Sequence, residues 1–585
     1  MGKTYKFTNK EVSEILKEVL AAMEVKAYNR FRIRAYQNAL AAIDNLTTSV
    51  YDMWENHRLS EIPGVGEGLE HHLNELFTTG EAQEYKSIKE GLPDGMFALL
   101  GLRGIGAKKA FKLANNFKLI KRDNTLERIK EYAQDGKIRI MNGFGEKSEK
   151  DILDAISELK KHKNAKPRLL LVQAEEVSNR IISYLRKMKN SDDIEITALG
   201  SLRRRAPTVG DIDIAVATNT PDLVLTHFLA FPEIKEVLVK GEEKISVVLK
   251  NDIQVDLRVS SPKAYGSMLQ YFTGSKQHNV ILRTYAMEKG LSLSEYGIKE
   301  HGKTLQYSDE KGFYHKIGLP YIPPEIRHGL NEISLAVEGK LPKLIDLQDI
   351  KGDLHTHTVA SDGMNTLSEM TAAATEKGYD YLGISDHTPS VQTRNEAEVL
   401  NIVRNQKALI EQINNSQDKI RVLLGYEVNI LNDATLSLPD RILKELDYAI
   451  ASIHTSFDQS RELVTKRLIN AIKNPYIDII GHPSGRLINQ REGCDINWKE
   501  IFDVALEYNK IIEINSQPNR LDLADDLVRE AVRMGLKLII STDSHATNDL
   551  GLMRFGIDVA RRGFCEKKNI INTLSLAGLL RVLKG

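Results

Sequence analysis

The run Leu199-Gly200-Ser201-Leu202-Arg203-Arg204-Arg205, followed by Asp211-Ile212-Asp213-Ile214-Ala215-Val216, decides how this chain is read. Apolar alternation predicts a strand here, and Asp211 and Asp213, two apart, then project from one face. A further strand is predicted at Ile253-Gln254-Val255-Asp256-Leu257-Arg258, where Ile253, Val255 and Leu257 take one face and leave Asp256 on the other. Three carboxylates on neighbouring strands can hold two Mg²⁺ ions about 3.5–4 Å apart for in-line phosphoryl transfer. Gly200 and Ser201 offer backbone and hydroxyl donors to a triphosphate, and Arg204 adds a charge-assisted clamp. Most Asp-x-Asp pairs at strand edges are ordinary solvated acids. The Gly-Ser-x-x-Arg-Arg run ahead of this one sets it apart.

Outward from that stretch, 585 residues predict about three to five domains. The composition, 42% hydrophobic and 27% charged, excludes a disordered, collagen-like or membrane-embedded chain. Lys+Arg and Asp+Glu each total 80, so bulk charge names no partner. The halves differ: residues 1–340 hold 51 basic and 46 acidic side chains, and 341–585 hold 29 and 34. No apolar run approaches the ~20 residues of a spanning helix, and the start has no apolar signal core. Cys494 and Cys565 form no CxxC pair, which argues against a disulfide framework or thiolate zinc site. An intracellular, soluble chain is expected.

Residues 1–165 carry apolar positions three and four apart and read as helices. Short β-like runs follow between about 168 and 260, and 262–335 is mixed, ending in the proline-rich LPYIPPEIRHG, a plausible connector. From 350 onward, DLHTHT, YLGISDH, RVLLGYEV, YAIASIH, IDIIGH, IIEINS and LIISTDSH alternate with helical stretches. Seven strand–helix units predict a parallel α/β barrel.

In the helical part, Ile62-Pro63-Gly64-Val65-Gly66 and Leu102-Arg103-Gly104-Ile105-Gly106 each join two helical stretches, and Asn142-Gly143-Phe144-Gly145 is a looser third case. A Gly-x-Gly turn lets two helices meet tightly and points bare N–H groups at a phosphate. Lys108 and Lys109 follow the second copy, and residues 101–150 hold 13 basic against 6 acidic side chains. One such turn is ordinarily a plain helical corner. Two well-formed copies resemble paired helix-hairpin-helix motifs and predict contact with a nucleic-acid backbone.

In the acidic half, His355, His357, His387, His454, His482 and His545 each fall in or at the end of an apolar run. Strand C-terminal ends converge on one face of such a barrel. Asp362 follows His355 and His357 in the next turn, Glu427 ends RVLLGYEV, and Asp543 pairs with His545 in Thr542-Asp543-Ser544-His545. One histidine on a strand is usually a hydrogen-bonded core residue, but six of six at strand ends point to a metal centre. Nine N/O ligands without sulfur suit two or three ions of Mn²⁺, Zn²⁺ or Fe and metal-assisted phosphoester hydrolysis. Asp386 and Arg486 are candidate supporting or phosphate contacts.

The residues Gly200-Ser201, Arg204, Asp211-Ile212-Asp213 and Asp256 resemble the palm of a family X DNA polymerase. Tyr271-Phe272-Thr273-Gly274-Ser275 is similar to that family's nucleotide-pocket motif, and the resemblance covers roughly 1–335. It implies that Asp211 and Asp213 bind both metals and that Asp256 binds the catalytic metal and activates the primer 3′-hydroxyl. Arg204, Ser201, Gly200 and Gly274 would hold the nucleotide, Tyr271 and Phe272 would lie against its sugar, and Asn279 and Arg283 would reach the minor-groove side. Gly64, Gly66, Gly104, Gly106, Lys108, Lys109 and Arg283 would contact DNA. The nine histidine and carboxylate positions resemble a complete polymerase-and-histidinol-phosphatase (PHP) ligand set over about 350–575. One position departs from the polymerase pattern: His72 stands where relatives can carry a Schiff-base lysine, and imidazole cannot form the imine.

The fold class implied is multidomain. Helix-hairpin-helix domains span 1–87 and 88–167 (fingers), an α+β nucleotidyltransferase palm 168–261 and a thumb 262–335. A linker at 336–350 leads to a PHP barrel at 351–585. The function implied is gap-filling repair synthesis with palm Mg²⁺ or Mn²⁺. It is joined to 3′-5′ exonuclease, 3′-end-cleaning or abasic-site cleavage at the barrel metals. Expected partners are gapped or nicked DNA and dNTPs, with no membrane, for a monomer in a bacterial or archaeal cytoplasm near the nucleoid. Two readings compete: a nucleotidyltransferase on a small molecule or tRNA fused to a small-molecule phosphatase, and a non-catalytic DNA-binding scaffold.

Overall fold

Apolar residues three and four apart give α1 (Asn9–Val25) one buried stripe of Val12, Leu16, Val19 and Met23. Tyr36, Ala39 and Ile43 of α2 (Arg30–Asn45) join the same core, as do Leu69, Leu73, Leu76 and Phe77 of α3 (Glu67–Thr79) and Ala110 and Leu113 of α4 (Ala107–Asn116). α3 stops at Gly80, whose φ of +86° and N–H donation to the Leu76 carbonyl make a left-handed cap. The computed structural model describes residues 5, 7, 9–45, 50–55, 57–62, 64–100, 102, 105–146, 148–153, 156, 168–188, 194–389, 395–457, 459–491 and 493–583. The chain divides into two compact units, 1–167 and 168–585. The described residues of the first are helix and turn throughout.

The second unit opens with α5 (Leu171–Leu185) and a five-stranded sheet: β1 (Glu195–Ala198), β2 (Ile212–Ala217), β3 (Ile234–Lys240), β4 (Lys244–Leu249) and β5 (Gln254–Ser260), in the order β1-β2-β5-β4-β3. β2 and β5 are parallel and the other pairs antiparallel. Val255, Leu257 and Val259 enter the core from one face of β5, as alternation requires. α6 (Tyr265–Thr273) and α7 (Lys276–Glu288) follow.

The proline-rich segment after them is packed, contrary to its expected role as a connector. Ile322 and Ile326 are buried, and Arg327 is enclosed with Glu310 at 2.7 Å. An apolar residue beside each proline and a carboxylate for the cation explain why it is held. Leu344, Ile345 and Ile350 are likewise buried, with Ile345 N donating to the Cys565 carbonyl at 3.0 Å.

Seven parallel strands then run in sequence order: β6 (Gly352–Asp353), β7 (Tyr381–Ile384), β8 (Arg421–Asn429), β9 (Tyr448–Ser452), β10 (Ile479–Ile480), β11 (Ile511–Asn515) and β12 (Lys537–Ser541). A parallel bridge between Thr356 and Ser544 brings the last strand back to the first and nearly closes the barrel. Its interior is filled, not hollow: Tyr381, Leu423, Tyr448, Ile450, Ile479, Ile511 and Ile539 stack inward. Gly383 and Gly425 leave room for the Tyr448 ring, since a Cβ at either would come within 2.2–2.3 Å of it. α8 (Met553–Arg562) packs outside, and α9 (Leu576–Leu583) adds Leu579 and Leu583 to the inner cluster. Among the described residues no helix is long and apolar enough to cross a membrane.

Candidate active sites

Strand register assembles the first site. Asp213 of β2 lies opposite Asp256 of β5, so the two carboxylates share a face. Asp211 stands one residue before β2, in a bend, where a strand position was expected. The reason is upstream: Thr208 and Val209 pair with Leu170 and Leu169 in a separate ribbon, and the chain turns at Gly210–Asp211 to enter the main sheet. Burial, then the charges of Asp211 and Asp256, pushes the Asp213 carboxyl up to about 6. Burial acts the same way on Asp256. Hydrogen bonds from Lys244 and Gln254 outweigh it and hold that carboxyl below its usual range. Lys244 Nζ is 2.5 Å from Asp256 Oδ2. Carboxylates crowded in this way form a donor set that suits divalent cations. Gly200, with φ +58°, lies so close that a Cβ would sit 2.8 Å from Asp213 Oδ2.

The three consecutive arginines part company. Arg203 pairs with Glu310 at 2.5 Å, and Arg205 pairs with Glu175 of α5 and, at 2.6 Å, with Asp558 of α8. Arg204 instead donates from Nη1 to the Thr273 carbonyl. Burial, then the cations Arg562 and Arg327, brings its pKa down to about 10. Three guanidinium groups therefore gather here, Arg327 paired with Glu310 and Arg562 with Asp525. Gly274 is close by, its added Cβ 3.1 Å from Arg204 Nη1. Ser201 is half-buried in the turn. Tyr271 and Phe272 are half-buried near the end of α6, with the Arg283 guanidinium 5.1 Å from the first ring and Arg258 3.9 Å from the second. Asn279 turns inward. Its Nδ2 donates to the Tyr271 carbonyl at 2.7 Å and its Oδ1 accepts from Gln270 at 2.9 Å, so here it orients Tyr271.

The second site lies at the C-terminal ends of the barrel strands. All nine expected ligands converge in four overlapping groups: His357/Asp362/His387/His545, His355/Glu427/His482, His355/His357/Asp543 and His387/Glu427/His454. Within each group the ligand atoms lie within 4.8 Å of one another. Tautomers follow from the acceptors. His355 Nδ1 donates to Glu513 Oε1 at 2.6 Å, His454 Nδ1 to Asn429 Oδ1 at 2.5 Å and His545 Nδ1 to the Asp543 carbonyl at 2.9 Å. With Nδ1 so engaged, Nε2 is the atom each ring has left to offer a metal. Both ring nitrogens of His357 and Nε2 of His355 are buried without a hydrogen-bond partner, which is the condition a metal ion relieves. Burial opposes a charged His355, but the carboxylates of Glu513, Asp543 and Glu427 outweigh it and hold its pKa well above the usual value. Burial would likewise raise Glu427, but His355 and His454 hold it well below the carboxylate range. Asp543 and His482 hold positive φ (+53° and +23°), a backbone cost met where ligands must be aimed.

Glu513 was not singled out in the sequence, although it orients His355 and accepts the His482 N–H at 2.6 Å. Its signal was a lone carboxylate inside the buried run Ile511-Ile512-Glu513-Ile514. Asp386 holds the loop bearing Asp362, accepting from Thr358 N and Ser361 Oγ, both at 2.7 Å. Arg486 donates to the carbonyls of Arg520 (2.7 Å) and Leu521, which occupies its guanidinium with main chain.

In the first unit, Gly64 has φ +89° and an added Cβ would come within 2.6 Å of Ala39 N, so the turn abuts α2 closely. Gly66 and Gly106 cap α3 and α4, and no atom lies within 4 Å of a Cβ added at either. Lys108 and Lys109 are exposed on α4. Gly104 lies outside the described residues. His72, on α3, is half-buried with Nδ1 3.1 Å from Tyr36 Oη, and burial lowers its pKa. α3 has no lysine, Lys89 pairs with Glu18 at 3.1 Å and Lys86 lies 3.8 Å from Glu81. Borohydride trapping on an incised abasic duplex should therefore give no adduct within residues 1–90. An efficient adduct at a lysine there would refute this.

Family models match three stretches: a helix-hairpin-helix domain at residues 7–82, the DNA polymerase beta thumb at 268–328 and a PHP domain at 353–517. The DNA polymerase/3′-5′ exonuclease PolX of Bacillus subtilis (strain 168) is 35% identical over 579 residues, which is 98% of this chain and 99% of that protein. A probable phosphatase of Thermoanaerobacter sp. (strain X514) is 34% identical over 232 residues, 38% of this chain and 89% of its own length. One of Clostridium acetobutylicum is 34% identical over 209 residues, 34% of this chain and 80% of its own. Similarity along nearly the full length of both chains, added to the paired strand carboxylates and the nine-ligand barrel, establishes that this chain belongs to the PolX family of family X DNA polymerases carrying a PHP domain.

Proposed function

We propose that this protein fills short gaps in DNA during repair and trims 3′ ends at a separate barrel site. The observation that carries the reading is Asp213 in register with Asp256 beside the Gly200–Arg204 turn, in a compact unit that also brings together nine histidine and carboxylate side chains able to hold metal ions. We assign 1–87 and 88–167 to helix-hairpin-helix domains, 168–261 to the palm, 262–335 to the thumb and 351–585 to the PHP domain, with 336–350 a linking segment packed against the barrel. The protein would act as a monomer on nucleoid DNA in a bacterial or archaeal cytoplasm.

In polymerisation, Asp256 accepts the proton of the primer 3′-hydroxyl as that oxygen attacks the α-phosphorus. Arg204 and Ser201 hold the triphosphate and stabilise the departing pyrophosphate. Tyr271 and Phe272 lie against the sugar, Arg283 reaches the minor groove, and Lys108 and Lys109 contact backbone phosphates. Asp211, Asp213 and Asp256 would hold two Mg²⁺ or Mn²⁺ ions, and the barrel set two or three of Mn²⁺, Zn²⁺ or Fe, supplying charge neutralisation and an acidified water. Glu513 and Asn429 fix the tautomers of His355 and His454 for that role.

The test is a labelled one-nucleotide-gap duplex. With dNTPs the primer should lengthen by one residue, without them it should shorten from the 3′ end, and chelation should stop both. Failure to extend would refute the polymerase reading. The probable phosphatases among the relatives favour one alternative for the barrel, a small-phosphomonoester phosphatase. Faster hydrolysis of free nucleotides or histidinol phosphate than of DNA 3′ ends would select it.

A further inference from the structure

Arg562, the last residue of α8 on the barrel, touches both halves of the nucleotide pocket. Its Nη1 donates to the main-chain carbonyl of Arg204 at 2.9 Å, and its Nη2 lies 2.6 Å from Asp525 Oδ2, which holds the guanidinium from behind. Its own carbonyl accepts a hydrogen bond from His328 Nε2 at 3.1 Å. Because a carbonyl can only accept, His328 carries its proton on Nε2. The His328 carbonyl in turn accepts from Ser275 Oγ at 3.1 Å, and the Arg327 carbonyl from Ser275 N at 3.2 Å. Ser275 caps α7 and closes the Tyr271–Ser275 turn. Two turns distant in sequence are thus tied through one residue of a third domain.

We infer that Arg562 is a positioning residue for the polymerase, setting the spacing between the Arg204 and Ser275 turns and so the affinity for incoming nucleotide. Docking of the barrel on the palm and thumb does not need it there. Arg554 pairs with Glu175 at 2.7 Å, Arg205 with Asp558 at 2.6 Å and Arg561 with Glu325 at 2.8 Å. A second guanidinium beside Arg204 is a poor choice for stability alone, since like charges repel in a half-buried site. It is a good choice where a polyanion is to bind. The inference rests on the reading that the Gly200–Arg204 turn holds the triphosphate.

The experiment compares full-length variants in steady-state gap filling and in 3′ trimming. Arg562→Lys keeps a cation for Asp525 but cannot reproduce the forked donation. It should raise KM for dNTP about tenfold, with kcat within about threefold and trimming unchanged. Arg554→Gln, which breaks a docking pair only, should change neither activity. An unaltered KM in Arg562→Lys, or an equal rise in Arg554→Gln, overturns the inference. If Arg562→Lys loses trimming as well through misfolding, the pair His328→Leu and His328→Gln decides. A raised KM in the first that the second restores supports the tie, and equal KM values refute it. Arg204→Ala separates the two levels. An unchanged KM there removes the pocket reading and the inference with it, whereas a raised KM there with a normal Arg562→Lys removes the inference alone.

Discussion

Asp256→Ala should lose dNTP incorporation by a factor on the order of 10³ or more while binding to gapped DNA survives. The carboxylate shares a sheet face with Asp213, and in the proposed mechanism its removal takes away a metal ligand and the proton acceptor together. Those contacts matter most in the transition state, so the loss should fall on kcat. Folding should be spared. The partner left behind, Lys244, is about a third exposed and can turn to solvent. Single-turnover incorporation and an equilibrium binding assay on the same gapped duplex check both halves. Near-normal incorporation would remove Asp256 from the site.

Changing His355 and His357 together to Ala should abolish 3′ trimming, again by a factor on the order of 10³, and leave extension within about threefold. His355 belongs to two of the four ligand groups and His357 to two, so the pair reaches three of the four. The palm carboxylates are carried by the five-stranded sheet β1–β5 and its entry bend, not by the barrel strands that bring the histidines together. Trimming of a labelled primer without dNTPs, beside extension with them, gives the two readouts. If trimming persisted in the double variant but vanished in Asp211→Ala, the hydrolytic site would have been misassigned.

The two sites were legible in the sequence to different depths. Each barrel histidine falls in or at the end of an apolar run, and a parallel barrel brings strand ends together whatever the loops do, so position along the chain pointed to the cluster. Glu513 escaped because nothing local separates an orienting carboxylate from any buried acid. Its role appears only when His355, 158 residues away, is seen to donate to it. The arginine run shows the same limit more sharply. Arg203 and Arg205 find their partners 107 and 353 residues downstream, at Glu310 and Asp558, and no spacing rule singles out Arg204 as the one left facing the pocket. Asp211 was expected on the strand because alternation extends through it, but the competing ribbon at Thr208–Val209 captures the preceding residues. The segment around Pro323 and Pro324 was read from its prolines as a connector, and its isoleucines and Arg327 pack it into the fold instead.

The alignment of Asp213 with Asp256 depends on chain length as much as on residue identity. Neighbouring strand residues face opposite sides, so one residue gained or lost within Ile253–Asp256 would swing the acid into the apolar layer and bring a Val255 or Leu257 side chain to the reacting phosphate. The turn at Gly241–Glu242 lies between the paired ends of β3 and β4 and is free of that parity rule. Substitution and indel therefore act under separate constraints in this gene. Within β2 and β5 the number of residues is therefore the tighter constraint, and length variation should collect at the hairpin tip.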